Sequence, residues 1–139
     1  MEDLSLHILD IAENSLRAGA RKVTIRLIEN RHNDILKLEI EDDGSGMDDI
    51  ALKRASDPFF STKDGKKFGL GLALLSQAAE ETGGDMEIRT KENNGTRIIA
   101  RFHRSNIDMK PVGDIAATIQ VLTTAYPEVQ FTFKRIINK

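Results

Sequence analysis

Residues Ile35 to Met47 read ILKLEIEDDGSGM. Apolar residues alternate with charged ones from Ile35 or Leu36 to Ile40, the period-two pattern of a strand with one buried face. The strand runs into two acids and a Gly-Ser-Gly turn. Glycine tolerates positive φ and lets other atoms approach a backbone without a Cβ. Three readings stand at this point: an ordinary acidic turn, a metal loop, or a place where a ligand meets the backbone. An EF-hand loop counted from Asp42 would need more widely spaced acids and Glu at its twelfth position, where Lys53 stands, so calcium is disfavoured.

Upstream, KVTIRLIE alternates through Val23, Ile25 and Leu27, and NRHND connects the two strands as a hairpin. Before it, Leu4, Ile8, Ile11, Ala12 and Leu16 recur at helical spacing. Asp3 is placed to cap that helix and Gly19 to end it. Downstream, Met47 to Ala55 predicts a short helix, and the Pro- and Gly-containing stretch SDPFFSTKDGKKFGLG a loop. LALLSQAAEETGG predicts a helix stopped at Gly83-Gly84, and DMEIRTKENNGTRIIARFH a hairpin with NNG at its turn. A further helix is expected from Pro111 to Tyr126, then a last strand, EVQFTFKRI. Its FTFKRI segment is a candidate edge strand guarded by Lys134 and Arg135. Tightly joined strand pairs with helices on one side give an α+β, two-layer α/β sandwich with a mixed, mostly antiparallel sheet. A doubly wound parallel sheet is disfavoured.

The 139 residues fit one domain, 1–139, with residues 105–139 as a C-terminal helix-strand extension. A net charge of −2, with both signs mixed along the chain, points to neither nucleic acid nor membrane as partner. No Cys is present, which removes disulfides, thiolate metal sites and Cys nucleophiles. The acidic, amphipathic start is no signal peptide and no apolar run is long enough to span a bilayer, so a cytoplasmic location is expected.

Three further stretches carry candidate chemistry. In FGLGLALL, Gly69 and Gly71 precede a helix, whose first N–H groups and dipole suit an anion; helix packing explains the same glycines. No Lys-Ser/Thr follows, so this is not a Walker A loop, and no strand precedes it as in a dinucleotide fingerprint. In LDIAENSLRAGA, Asp10, Glu13, Asn14 and Arg17 share one helical stripe. They form either a solvated face or a site where Asn14 offers its carbonyl oxygen to Mg²⁺. In DPFFSTKDGKK, adjacent phenylalanines and Lys63, Lys66 and Lys67 form either a lid against phosphates or a charged, mobile loop.

Taken in order, these stretches resemble the GHKL ATPases: gyrase, the ninety-kilodalton heat-shock chaperone, histidine kinases and the mismatch-repair protein MutL. ENSLRAGA is similar to the N box and DDGSGM to the first glycine box. DPFFSTK resembles the F box of histidine kinases, and GLGLALL the second glycine box, with NGTRIIARF as the following hairpin. The resemblance covers residues 4–103 and implies the Bergerat-type ATP-binding sandwich. It implies that Asp42 accepts the adenine amino group, with Gly44 and Gly46 in the same box, Gly46 giving the base room. Thr96 joins that set, and Asn14 holds Mg²⁺. Arg17, Lys63 and Lys67 face phosphate, and Gly69, Leu70 and Gly71 cradle it at the helix start. Residues 57–68 form the lid. Asp43, at the variable position, is expected only to be solvated.

The pattern departs from its hydrolysing members at Asp10, where they carry the Glu that activates water. Asp10 is one methylene shorter, and Glu13 is out of register. No phosphoacceptor hairpin is expected ahead of the N box, so a phosphoacceptor or regulatory partner would lie on another chain; a homodimer is compatible. The N box leans toward MutL, the F box and second glycine box toward histidine kinases. The resulting expectation is an ATP- and Mg²⁺-binding protein kinase acting in trans. The alternatives are a non-catalytic ATP switch and a slow ATPase.

Overall fold

A computed structural model describes residues 3–46, 70–90, 93–109 and 111–138. The helix expected at 47–55 and the loop at 57–68 lie outside the described residues.

Helix α1 spans Leu4–Arg17. The Asp3 side chain accepts the Leu6 N–H at 3.1 Å, satisfying one of the donors that a helix start leaves open. At the other end Gly19, at φ +79°, reverses the chain. Its N–H donates to the Leu16 carbonyl and that of Ala20 to the Ser15 carbonyl, a Schellman closure. Two strands follow, β1 (Lys22–Asn30) and β2 (Ile35–Asp42). They pair antiparallel with Val23 opposite Asp42. Helix α2 (Leu70–Glu81) leads to the hairpin of β3 (Asp85–Thr90) and β4 (Thr96–His103). Helix α3 (Ile115–Ala125) leads to β5 (Gln130–Asn138).

One five-stranded sheet results, in the order β3-β4-β2-β1-β5. All pairs are antiparallel except β1 with β5, which lie parallel because the chain crosses the sheet between β4 and β5. The mostly antiparallel α+β sandwich expected from the alternating runs is the fold observed.

Alternation dictates the layers. Val23, Ile25 and Leu27 of β1 and Leu36, Leu38 and Ile40 of β2 are buried under the helices, with Ile98, Ala100 and Phe102 of β4. Leu4, Ile8 and Ile11 of α1 and Leu72 and Leu75 of α2 close the core from above. Each such side chain contributes on the order of 1.5–3 kcal/mol on burial. The intervening residues turn to the other face, which is charged. There Glu39 is only 2% exposed, ringed by Arg97 at 2.7 Å, Lys37 at 3.4 Å and Arg26 at 3.8 Å.

The third helix starts later than its sequence suggests. It begins at Ile115, with Asp114 accepting the Ala117 N–H at 2.9 Å. Residues 111–113 instead lie against the start of α1. The Pro111 and Val112 carbonyls accept the Leu4 and Ser5 N–H groups at 2.9 and 3.1 Å. Those two donors have no partner within their own helix, so a neighbouring extended segment satisfies them, and Asp is a far better cap than Pro111 could supply. Among the described residues no helix is long and apolar enough to cross a membrane.

Candidate functional site

The end of β2 is built around Asp42. Its register puts it between Val23 of β1 and Thr96 of β4. Asp42 Oδ2 accepts the Ser15 hydroxyl at 2.6 Å, and Oδ1 accepts the Gly44 N–H at 2.9 Å. A carboxylate has about four acceptor positions, so two remain for a donor arriving from outside. Ser15 is 3% exposed and follows Leu4, Ile8 and Ile11 along the buried side of α1. The sequence reading passed over it in favour of Asn14. Its signal was a hydroxyl continuing an apolar stripe, which must find a buried partner.

The turn after Asp42 is tied down on three sides. The Ser45 N–H donates to the Ala18 carbonyl at 2.9 Å, and the Asn93 N–H to the Ser45 carbonyl. Gly95, at φ +81°, packs so closely that an added Cβ would stand 2.3 Å from the Asp42 carbonyl oxygen. Thr90 Oγ1 donates to the Gly95 carbonyl at 3.1 Å and lies 2.9 Å from Thr96 Oγ1. Thr96 is buried opposite Asp42, so the two residues named for one end of the site are direct cross-strand neighbours.

Asp43 corrects the expectation of a merely solvated acid. Its carboxylate accepts the Arg21 and Lys22 N–H groups at 2.8 and 2.9 Å. The Lys22 hydrogen bond, with that of Arg21 behind it, holds the carboxyl below the ordinary Asp range. Those N–H groups sit just before β1 and at its first residue, where a side-chain acceptor closes the turn.

The polar stripe of α1 lies one helical step from Ser15. Asn14 is half-buried, and its Oδ1 accepts Arg17 Nη1 at 3.0 Å. Arg17 also stands 3.9 Å from Glu13. Asp10 is exposed beside the first turn of α2, where a Cβ on Gly71 would meet the Asp10 Cβ at 3.3 Å. Leu70 is the first residue of α2, and Gly46, at φ +71°, is the last described residue after Asp42. Asp42, Gly44, Thr96 and Ser15 are thus one connected group. Asp10, Asn14 and Arg17 share the adjoining helix, with Gly71 at its flank. Lys63, Lys67 and Gly69 lie outside the described residues.

The donor set fits the groups that the sequence implies. Asp42 has free acceptor capacity for an amine. Asn14 has one amide oxygen, now lent to Arg17, and Mg²⁺ characteristically takes one or two protein oxygens and completes its shell with phosphate and water. No cluster of three His, Cys, Asp or Glu side chains suited to a metal occurs among the described residues. A cavity of about 560 Å³ at this end of the sheet opens toward the charged face, where Lys22, Thr24, Glu41, Arg89 and Arg97 line it. It adjoins the group above, with which it shares Asp42 and Thr96, and its wall also includes Asp43, Thr90 and Gly95.

Comparison with known proteins identifies the family and the fold. The pattern of the histidine kinase-, DNA gyrase B-, and HSP90-like ATPases matches residues 2–106. A protein of Shewanella frigidimarina described as a sensor protein is 33% identical over 93 residues, 66% of this chain and 14% of that protein. Sporulation kinase E of Bacillus subtilis is 34% identical over 74 residues, 53% of this chain and 10% of that one. The chain therefore spans a small fraction of these relatives' length. Among solved structures, the Aquifex aeolicus MutL ATPase domain complexed with ADP superposes with a TM-score of 0.57 at 18% identity. The match covers 97% of this chain and 60% of that one.

Proposed function

Because this chain belongs to the histidine kinase-, DNA gyrase B-, and HSP90-like ATPase family, we propose that it binds Mg-ATP and transfers the terminal phosphoryl group to a protein on another chain. One observation carries the reading: the Asp42 carboxylate is fixed by Ser15 and Gly44, with acceptor capacity left, at a strand end flanked by the α1 polar stripe.

Asp42 accepts the exocyclic amine of adenine, and Thr96 lines the same end. Ser15 is a positioning residue that fixes the Asp42 rotamer before nucleotide arrives. Asn14 offers its carbonyl oxygen toward the phosphates, and Arg17 exchanges that oxygen for a phosphate oxygen, a charge-assisted and stronger acceptor. The first N–H groups of α2 face the same anion. A bound Mg²⁺, held through the Asn14 carbonyl oxygen, would supply compensation of phosphate charge. Phosphoryl transfer asks little covalent work of a protein; positioning and charge compensation supply most of it.

A second reading, slow hydrolysis, is favoured by the exposed position of Asp10 beside the first turn of α2. Incubation with γ-labelled ATP and cell extract separates the two. Label appearing on one protein, and persisting in Asp10→Asn, supports transfer. Phosphate release abolished by Asp10→Asn, with no labelled protein, supports hydrolysis. Captured partner without either outcome marks an ATP-dependent switch.

A further inference from the structure

The family match ends at residue 106. Five large hydrophobic side chains are exposed among the described residues, and four of them, Ile107, Val121, Ile136 and Ile137, lie beyond that point. Two of the four sit on β5, at 40% and 44% exposure. Among the described residues this strand borders the sheet, paired with β1 on one side only. Nine residues long, it presents alternate backbone N–H and C=O groups outward along its free edge. Beside it α3 carries no charged residue in its 11 positions. Two exposed isoleucines, an unpaired edge and an uncharged helix packed on the strand therefore come together at this border of the sheet.

The charge on that edge selects its occupant. QFTFKRIIN contains two cations, Lys134 and Arg135, both exposed, and no acid. On the charged face Lys134 lies next to Arg26 of β1, and Ile136 next to Ile28. Antiparallel pairing with a second copy about Lys134 or Arg135 would set cation against cation, and shifting the register to avoid this shortens the overlap. Like charges directly opposite one another destabilise a sheet, whereas opposite charges support it.

We propose that the free edge of β5 docks an extended, acidic segment of a partner protein, which adds antiparallel as a further strand. Cross-strand geometry specifies its pattern. Two apolar residues face Ile137 and Ile136, two acids follow opposite Arg135 and Lys134, and an apolar or β-branched pair comes next. Main-chain hydrogen bonds supply binding and the alternate side chains supply selection, as in other strand additions. The surface lies outside the Asp42 group, so it stands whether or not that group binds nucleotide.

The test uses the full chain and the capped peptide Ile-Val-Glu-Asp-Val-Thr, with Ile-Val-Lys-Lys-Val-Thr as control. Amide NMR shifts on titration should concentrate on residues 130–138, saturate for the acidic peptide alone, and weaken with added salt. The double variant Lys134→Glu/Arg135→Glu should lose the acidic peptide by about tenfold or more and gain the lysine peptide. Both positions are exposed, so the variant should fold as the wild type does, which circular dichroism checks. Absent or equal binding of the two peptides overturns the proposal. So does a concentration-dependent dimer, in sedimentation, that Ile137→Lys dissolves, since a second copy would then be the occupant.

Discussion

Two glycines with nearly the same backbone angle should respond differently to alanine. Gly19, at φ +79°, has nothing within 4 Å of an added Cβ. Gly95, at φ +81°, would bring its Cβ to 2.3 Å from the Asp42 carbonyl oxygen, a backbone atom that cannot swing aside. A left-handed φ costs an L-residue about 1–2 kcal/mol. The loss of unfolded-state freedom returns about 0.4–1 kcal/mol. Gly19→Ala should therefore cost about 1 kcal/mol. Gly95→Ala adds an overpacking penalty of about 1–3 kcal/mol, for a total of about 2–4 kcal/mol. For 139 residues each kcal/mol moves Tm by about 3–4 °C. Thermal melts should show losses of about 3–4 °C for Gly19→Ala and about 6–16 °C for Gly95→Ala, and urea unfolding should keep its slope in both. ATP affinity should fall for Gly95→Ala well below its folded fraction, because the strain is delivered to the residue that carries Asp42. Equal losses in the two variants would refute the steric argument and leave φ as the whole effect.

Other outcomes follow from the same contacts. Ser15→Ala removes a buried, charge-assisted hydrogen bond and should lower stability by about 1.5–3 kcal/mol in urea unfolding. It should also weaken ATP binding, while Ser15→Thr retains part of both; an unaffected affinity would remove Ser15 as a positioning residue. Glu39→Gln should cost about 1–2 kcal/mol at neutral pH, discounted because its cationic partners are each partly exposed. Burial alone would raise the Glu39 pKa, but the Arg97 hydrogen bond and charge, with Lys37, hold it below the ordinary value. A depressed pKa stabilises above the unfolded value and loses that contribution as pH falls. The gap between wild type and Glu39→Gln should therefore shrink below about pH 4 in pH-dependent melts. A gap constant down to pH 2 would contradict the ion cluster. Asn14→Asp should change the Mg²⁺ dependence of ATP binding in a metal titration, and an unchanged titration would count against its role.

Much of the fold was legible because period-two runs such as Val23-Ile25-Leu27 have one dominant reading. Gly19 and Asp3 marked the ends of α1 by chemistry that needs no tertiary partner. Asp42 was singled out by the glycines after it. Ser15 was not, because its role appears only when α1 is laid on β2 and the hydroxyl meets Asp42 at 2.6 Å. The Glu39 cluster was invisible for the same reason: Arg97 is 58 residues away and is brought diagonally across from Glu39, opposite Glu41, only by the β2–β4 register. Pro111 was misleading because its carbonyl serves another helix, a contact that no local pattern encodes. The parallel placement of β5 depends on a chain crossover rather than on its own alternation.

Calorimetric titration of ATP into wild type and Asp42→Asn, with and without Mg²⁺, addresses the nucleotide reading most directly. The amide cannot accept as the carboxylate does, and a mismatched buried polar pair costs about 1–3 kcal/mol, roughly 5- to 150-fold in affinity. Saturable binding by the wild type that weakens by about tenfold or more in Asp42→Asn, with circular dichroism unchanged, is the expected result. Equal affinity in the two proteins, or no binding to the wild type, would contradict the account.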